Sequence, residues 1–153
     1  MAEIAVLLGS KSDLKFWEES KPYLDYFGVE ADLHILSAHR TPDQVAEFAR
    51  KASDTGYKVL IAGAGMAAHL AGALAAHSIL PVLGVPLPGG VMDGMDAMLA
   101  TVQMPAGVPV ATFAVGKAGM RNACIFAVQI LSIHDNSLQE KLISFKAQGA
   151  RLS

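Results

Sequence analysis

The sequence predicts an α/β protein, a three-layer α/β/α sandwich in which a parallel sheet of five strands lies between two layers of helices. Short apolar runs alternate with longer helix-like stretches along the whole chain, and such alternation is typical of βαβ units. Loops rich in glycine, proline and hydroxyl residues separate these segments. Because no linker, repeat or low-complexity stretch interrupts the pattern, we expect residues 1–153 to form a single domain, with a C-terminal helix from about residue 136 and a short tail.

The element bounds follow from apolar runs and from helix start and stop signals. Gly28 is the expected stop of the first helix, while Thr41 and Pro42 are the expected cap and first turn of the second, which Gly56 ends. The stretch 118–133 is apolar nearly all round, which favours burial on more than one side. The predicted strands cover residues 4–8, 31–36, 59–62, 82–85 and 108–113, and the predicted helices cover 14–27, 42–55, 67–76, 93–99, 118–133 and 137–147.

Composition favours a subunit of an oligomer. Apolar residues make up 52% of the chain and charged residues only 17%, against roughly 25% charged residues in an average soluble domain. A very apolar monomer is the alternative, but large apolar patches rarely stay exposed. The net charge is -2 and lysine and arginine form no cluster, so we expect no nucleic-acid partner. No apolar stretch reaches the roughly 20 residues of a membrane span.

Cysteine and histidine usage argues against disulfides and metal sites. Cys124 is the only cysteine, which excludes a disulfide within the chain and a zinc site of several cysteines. It lies in an apolar run and is expected in the core. No signal peptide is evident, and we expect a reducing, cytoplasmic setting. The histidine spacings do not give the i, i+4 pair of a helical metal site, so no metal and no cofactor are expected.

Four loops are expected to meet at one edge of the sheet, because ligands bind at the carboxyl ends of strands in open parallel sheets. These loops gather glycines, hydroxyls, one Asp, one Arg and two His in an otherwise apolar chain. They are residues 9–13 (GSKSD), 37–41 (SAHRT), 63–66 (GAGM) leading to His69, and 86–90 (PLPGG).

The first two loops carry the clearest chemistry. In residues 9–13, small residues before a helix suit the binding of an anion, although Ser12 or Asp13 could simply cap that helix. In the second loop, His39 is a candidate general acid/base. Arg40 is suited to hold a phosphate through two parallel hydrogen bonds. The alternative is a surface His-Arg pair in front of a helix cap.

The third loop resembles a dinucleotide-binding pattern only superficially. Residues 63–68 match G-x-G-x-x-A, but they follow the third strand, and no acidic residue ends the next strand before Asp93. We therefore reject a nicotinamide cofactor and expect these glycines to admit close approach of a smaller ligand. His69, at the start of the third helix, could face the pocket. His34 is expected to be structural, and His77 and His134 are expected at helix ends.

Five motifs in order carry a family resemblance. They are GSKSD at 9–13, SAHRTP at 37–42, AGAG at 62–65 with AAHL at 67–70, PVLGVP at 81–86 and VQMP at 102–105. Over roughly residues 3–135 the chain resembles the 5-(carboxyamino)imidazole ribonucleotide mutases, the catalytic-subunit type of phosphoribosylaminoimidazole carboxylase. The resemblance implies a flavodoxin-like fold and a homo-octamer with active sites at subunit contacts. It also implies an isomerase of de novo purine biosynthesis, which needs no cofactor or metal.

The implied reaction moves a carboxylate from the exocyclic nitrogen to ring carbon 4 of an aminoimidazole ribonucleotide. The nitrogen gains a proton as carbon dioxide leaves, and the ring carbon loses one after carboxylation, so one imidazole could serve both steps. By matching position, His39 is implied as the general acid/base, Asp13 as the contact to the ribose hydroxyls, and Arg40 as the phosphate contact. The implied substrate-binding set is Ser10, Ser12, Asp13, Ser37, Arg40, Ala64, Gly65, His69 and Leu70.

Two departures and two rivals accompany this resemblance. The third loop of the family usually reads GGAAHLPG, but here Met66 replaces the second glycine and Ala71 the proline. The fourth loop, residues 88–96, also differs from the commoner sequence. One rival is direct carboxylation by the sister branch, which typically reads SAHK and RSN; Arg40 and the AAH at 67–69 favour the mutase. The other is a non-catalytic nucleotide-binding module in which His39 is only a ligand contact.

Overall fold

A computed structural model describes residues 1–153 and shows a parallel sheet of five strands with helices on both faces. The predicted three-layer α/β class is confirmed. The strand order is β2-β1-β3-β4-β5, the doubly wound order of flavodoxin-like folds. The strands are β1 (Ile4–Leu8), β2 (Ala31–Ile35), β3 (Val59–Gly65), β4 (Val82–Leu87) and β5 (Ala111–Thr112). The helices are α1 (Leu14–Glu18), α2 (Lys21–Phe27), α3 (Pro42–Lys51), α4 (Leu70–His77), α5 (Met95–Val102), α6 (Lys117–Ser132) and α7 (Asn136–Ala147).

The central strands are buried on both faces, as expected of a parallel sheet covered by helices. Every residue of β1 and of β4 is buried. Because side chains alternate along a strand, Val6 packs into the core beneath α2, α6 and α7, whereas Leu7 packs into the core beneath α3 and α4. The sheet is therefore held from both sides, and its carboxyl edge is a fixed platform for the loops.

The predicted helix over 14–27 is wrong, because the chain forms two helices there. α1 ends at Glu18 and α2 begins at Lys21, with Pro22 in the first turn of α2. Proline has no N–H and clashes with the carbonyl four residues before it in a helix interior, so a helix must restart at this position. The Ser20 hydroxyl donates to the Phe16 carbonyl at 2.7 Å. Gly28 ends α2 in the left-handed conformation, as predicted (φ 71°).

Several other bounds differ from the predictions for local reasons. α5 begins only at Met95, because Met92, Asp93 and Gly94 have positive φ angles that a right-handed helix excludes. β5 is only two residues long, because Pro109 lacks a donor and the Val108 N–H bonds the Pro105 carbonyl instead. β3 and β4 run further than predicted, to residues 65 and 87, and α4 starts later, at residue 70.

Within the chain, helix α6 buries one face. The sequence pattern favours burial of this helix on more than one side. Met120, Cys124 and Val128 are fully buried, whereas Phe126 is 41% exposed. Burial of Phe126 against another subunit stays a prediction. Cys124 is a core residue as expected, and burial raises the pKa of its thiol to about 12. None of the helices has both the length and the apolar character needed to cross a membrane.

Replacing Phe27 tests the core beneath α2. Phe27 is fully buried and its ring meets that of Phe145 at a centroid distance of 5.4 Å. Phe27→Ala should lower the free energy of unfolding by about 3–5 kcal/mol, through lost burial and the cavity left behind. Urea denaturation at fixed protein concentration measures this. The control is Ile143→Ala at an exposed position of α7, expected within about 0.5 kcal/mol of the parent; equal losses in both variants would contradict the assignment.

Candidate functional site

One cavity of about 310 Å³ lies at the carboxyl edge of the sheet. All four predicted loops contribute to it, and it opens beside β1 and β3, where the strand order reverses and ligands bind in such sheets. Of the predicted site residues, the cavity wall includes Ser10, Ser12, Asp13, Ser37, His39, Ala64, Gly65, His69 and Leu70. Arg40 does not line it. The wall also includes Gly9, Ala38, Met66, Ala67, Pro88 and Gly89.

The first loop is held by backbone and hydroxyl contacts. The Gly9 N–H donates to the Gly63 carbonyl at 3.1 Å, which ties the loop to the end of β3. Ser10 precedes a short 3-10 turn, and its hydroxyl accepts hydrogen bonds from the Ser12 N–H at 3.3 Å and the Ser12 hydroxyl at 2.9 Å. Two hydroxyls and the Asp13 carboxyl thus stand together at one side of the cavity.

Asp13 is half-buried, and this burial raises the pKa of its carboxyl. A hydrogen bond from the Ser10 backbone and the positive charge of Lys15 oppose the rise without cancelling it. The ionised carboxylate is therefore incompletely solvated by the groups around it. A ligand that donates hydrogen bonds, such as a sugar with vicinal hydroxyls, would replace the solvation that the carboxylate lacks.

The two cavity histidines form a pair. His39 Nε2 lies 2.8 Å from His69 Nδ1, and the ring centroids are 4.8 Å apart. At this distance one nitrogen carries the proton and the other accepts it. His39 comes from the loop after β2 and His69 immediately precedes α4. The sheet order brings them together across 30 residues of sequence. Such a pair can hold a proton at the cavity wall and exchange it with a bound ligand.

The second loop is a rigid turn that aims His39 at the cavity. The Thr41 hydroxyl accepts from the Ser37 N–H and donates to the Ser37 carbonyl, each at 3.0 Å, and the Arg40 N–H donates to the Ser37 hydroxyl at 3.1 Å. Thr41 precedes α3 as predicted, but its side chain stabilises this turn and makes no cap hydrogen bond to α3. The Arg40 side chain is exposed beside His39, so its phosphate contact stays a prediction.

The third loop needs its glycines for packing. A Cβ at Gly63 would lie 2.9 Å from the Met120 methyl group, and one at Gly65 would lie 3.3 Å from the Leu87 carbonyl oxygen. The absence of side chains at these glycines therefore leaves space for the neighbouring strand and helix. From the sequence, these glycines are instead expected to allow close approach of a ligand. Met66 follows with φ 54°, a left-handed conformation that costs a non-glycine residue about 1–2 kcal/mol.

The fourth loop adds backbone to the cavity wall. Pro88 and Gly89 line the wall, and the Gly89 N–H donates to the Asp93 carboxylate at 3.0 Å. Sequence reasoning placed this loop at the correct edge but assigned it no site residue, since it offers no titratable side chain to the cavity.

The remaining histidines lie outside the cavity. His34 Nε2 lies 3.2 Å from the Tyr57 hydroxyl, and its ring packs tilted against that of Phe48 at a centroid distance of 4.7 Å, which agrees with a structural role. Burial lowers its pKa. No group of three or more His, Cys, Asp or Glu side chains is arranged to hold a metal ion.

Replacing Asp13 by asparagine should stabilise the ligand-free protein. The raised pKa means that folding opposes ionisation, so the native state loses stability as pH rises through the carboxyl pKa. Asp13→Asn should therefore unfold at a higher urea concentration than the parent at pH 7. The difference should shrink toward zero below about pH 3, where the carboxyl is largely protonated in both states. A destabilised Asp13→Asn protein at pH 7 would overturn this interpretation of the site.

Comparison with known proteins identifies the family. The sequence matches the AIR carboxylase family over residues 3–151. It is 48% identical to the N5-carboxyaminoimidazole ribonucleotide mutase of Haemophilus influenzae over 95% of this chain and 88% of that protein. It is 44% identical to the mutase of Pyrococcus abyssi over 95% and 83%. The crystal structure of Treponema denticola PurE superposes with a TM-score of 0.85 at 26% identity, covering 96% and 90% of the two chains. The chain belongs to the AIR carboxylase family.

Proposed function

We propose that this chain is an N5-carboxyaminoimidazole ribonucleotide mutase of purine biosynthesis. It converts 5-carboxyamino-1-(5-phosphoribosyl)imidazole to 5-amino-1-(5-phosphoribosyl)imidazole-4-carboxylate. The family match and relatives of that name at 44–48% identity support this activity. The observation that carries the mechanism is the His39–His69 pair at 2.8 Å in the wall of the cavity. It provides a proton donor and acceptor where the sheet order reverses.

The first two loops bind the ribonucleotide in this proposal. The Asp13 carboxylate accepts hydrogen bonds from the ribose hydroxyls, which supply the solvation that burial denies it. The Ser10, Ser12 and Ser37 hydroxyls lie in the same wall and are positioned to contact the sugar and phosphate. Arg40, which is exposed and follows His39 in the chain, supplies the positive charge for the phosphate. Gly65, Ala64 and Leu70 form the small apolar wall for the imidazole ring and carboxylate.

The proton then moves between His39 and the substrate. As the bond between the exocyclic nitrogen and the carboxylate breaks, carbon dioxide leaves and the nitrogen takes a proton from His39. Ring carbon 4 attacks the carbon dioxide and forms the new carbon–carbon bond. His39 removes the proton from carbon 4, which restores the aromatic ring and the starting state of the histidine. His39 gives one proton and takes one back, so no other proton donor or acceptor is needed. His69 holds the His39 ring in place through its hydrogen bond.

The names of the relatives also help to distinguish the mutase from an enzyme that carboxylates the aminoimidazole ribonucleotide directly. The description AIR carboxylase fits direct carboxylation as well, but the curated relatives at 44–48% identity are named as mutases. Supplying each substrate in turn separates the two activities. A mutase consumes the carboxyamino ribonucleotide, whereas a direct carboxylase consumes the aminoimidazole ribonucleotide with carbon dioxide. A non-catalytic module would bind either nucleotide and convert neither.

Replacing His39 tests the proton transfer. His39→Asn should bind the carboxyamino substrate with an unchanged dissociation constant, measured by calorimetry, yet lose roughly 10²–10⁴-fold in turnover. The matched control is His77→Asn, at the exposed end of α4 outside the cavity, which should turn over like the parent. Near-normal turnover of His39→Asn would remove His39 from the mechanism.

We also propose a homo-octamer in the cytoplasm. The α5 face formed by Met95, Leu99 and Val102 is exposed although wholly apolar, with Leu99 47% exposed. Phe126 on α6 is exposed too. Exposed apolar faces of this kind favour burial between subunits. The buried, unpaired thiol of Cys124 suits a reducing compartment.

A charge on the α5 face should disrupt this assembly. Light scattering should give the mass of an octamer for the parent and a smaller assembly for Leu99→Glu, because the carboxylate would be desolvated at a subunit contact. Leu99→Met keeps the apolar volume and should remain an octamer. A Leu99→Glu protein with the parent mass would show that the α5 face is not a subunit contact.

A further inference from the structure

We propose that the Met66 side chain covers the carboxylate end of the cavity and retains carbon dioxide between its loss and its recapture. This inference rests on the proposed mutase activity and assigns it a pocket residue specific to this chain. Three features of Met66 support it. They are its backbone conformation, the exposure of its side chain, and the flexibility of that side chain compared with the other apolar groups of the cavity wall.

The backbone at Met66 is suited to glycine. Its φ of 54° lies in the left-handed region, where a side chain is strained. Gly65, next to it, is confined by the Leu87 carbonyl oxygen, so the chain has little room to relax. A side chain kept under such strain points to a functional contact.

The strain is not offset by packing inside the chain. Met66 is 66% exposed, although it lines the cavity with His39 and His69. Its thioether side chain therefore gains little burial when the cavity is empty. It can gain that burial when a substrate fills the cavity and presents apolar surface beside it.

Met66 is the only apolar group of the wall that can move over a ligand. Ala38, Ala64 and Ala67 each offer a single methyl group, and Leu70 is only 2% exposed because it packs in the core beneath α3 and α4. Methionine is unbranched, with a polarisable sulfur and flexible torsions that adapt to irregular surfaces. A single side chain at this position can therefore close the wall that three alanines leave open.

The reaction needs such a cover. Between cleavage at the exocyclic nitrogen and attack by carbon 4, carbon dioxide is a small, neutral, unanchored molecule. It carries no charge with which the polar groups of the first loop could pair, so steric closure and exclusion of water retain it. If it escapes, the nitrogen has already gained its proton and the aminoimidazole ribonucleotide is released as a side product.

Label retention measures the escape directly. The substrate carries ¹³C in its carbamate carboxylate and reacts in unlabelled bicarbonate buffer with carbonic anhydrase, which exchanges any released carbon dioxide. Mass spectrometry then gives the labelled fraction of the 4-carboxylate product and the yield of aminoimidazole ribonucleotide. An enzyme-free sample corrects for spontaneous decarboxylation.

Met66→Gly should raise the ratio of escape to recapture by about tenfold, the effect of removing an apolar pocket contact. Met66→Leu keeps the apolar volume and should stay within about twofold of the parent. The matched control is Met92→Gly, since Met92 is also exposed with positive φ (50°) but lies outside the cavity. It should retain the label like the parent.

The outcomes separate this inference from the proposed function. A parent protein that forms no 4-carboxylate product refutes the mutase proposal itself. A parent that forms it, with the same label retention in Met66→Gly, refutes only the role of Met66. Loss of retention in Met66→Leu equal to that in Met66→Gly also refutes it, because an apolar side chain would then not suffice. A Met66→Gly protein whose assembly changes while its label retention does not assigns Met66 to a subunit contact instead.

Discussion

The parallel pairing of β1 with β3 is the constraint on which the rest of the structure depends. β1 is buried on both faces and places Leu8 opposite Gly63. Burial of a large apolar side chain is worth about 1.5–3 kcal/mol, and a one-residue slip would turn each side chain to the other face. The register is therefore strongly specified. Because β1 and β3 lead into the first and third loops, this register sets the distance of Ser10 and Asp13 from His69, while the pairing of β1 with β2 places His39.

Glycine and alanine make this edge compact enough to be a site. Gly63 leaves space for Met120 and Leu8, and Gly65 leaves space for the Leu87 carbonyl. The loops can then converge without large side chains filling the cavity. Met66, a non-glycine residue with positive φ, lies in the third loop and lines the cavity, whereas Met92 and Asp93, which also have positive φ, follow residues 86–90 and do not line it. The backbone strain at Met66 therefore lies in the cavity wall, as at many functional sites.

Ionised Asp13 lowers the stability of the ligand-free protein, whereas the two cavity histidines are paired with each other. The pKa of the Asp13 carboxyl is raised because burial removes its water, and the two histidines are hydrogen-bonded to each other in the cavity wall. A rigid turn of Ser37 and Thr41 supports His39, so the proton donor is positioned before a ligand arrives. Such preorganisation suits a reaction in which one group gives a proton to the exocyclic nitrogen and then removes another proton from ring carbon 4.

The sequence by itself determined the fold class, the approximate elements and the edge at which the loops meet. Those properties depend on local periodicity and on the general rule that parallel strands end together. The family resemblance supplied the ten predicted site residues, nine of which line one cavity. Tertiary structure decided the rest. The break at Pro22, the two-residue β5 and the late start of α5 depend on single residues that override an apolar run. The 2.8 Å contact of His39 with His69 depends on strand order, and the roles of Gly63 and Gly65 depend on neighbours distant in sequence. Such contacts join residues that local patterns treat separately, which is why only the assembled sheet reveals them.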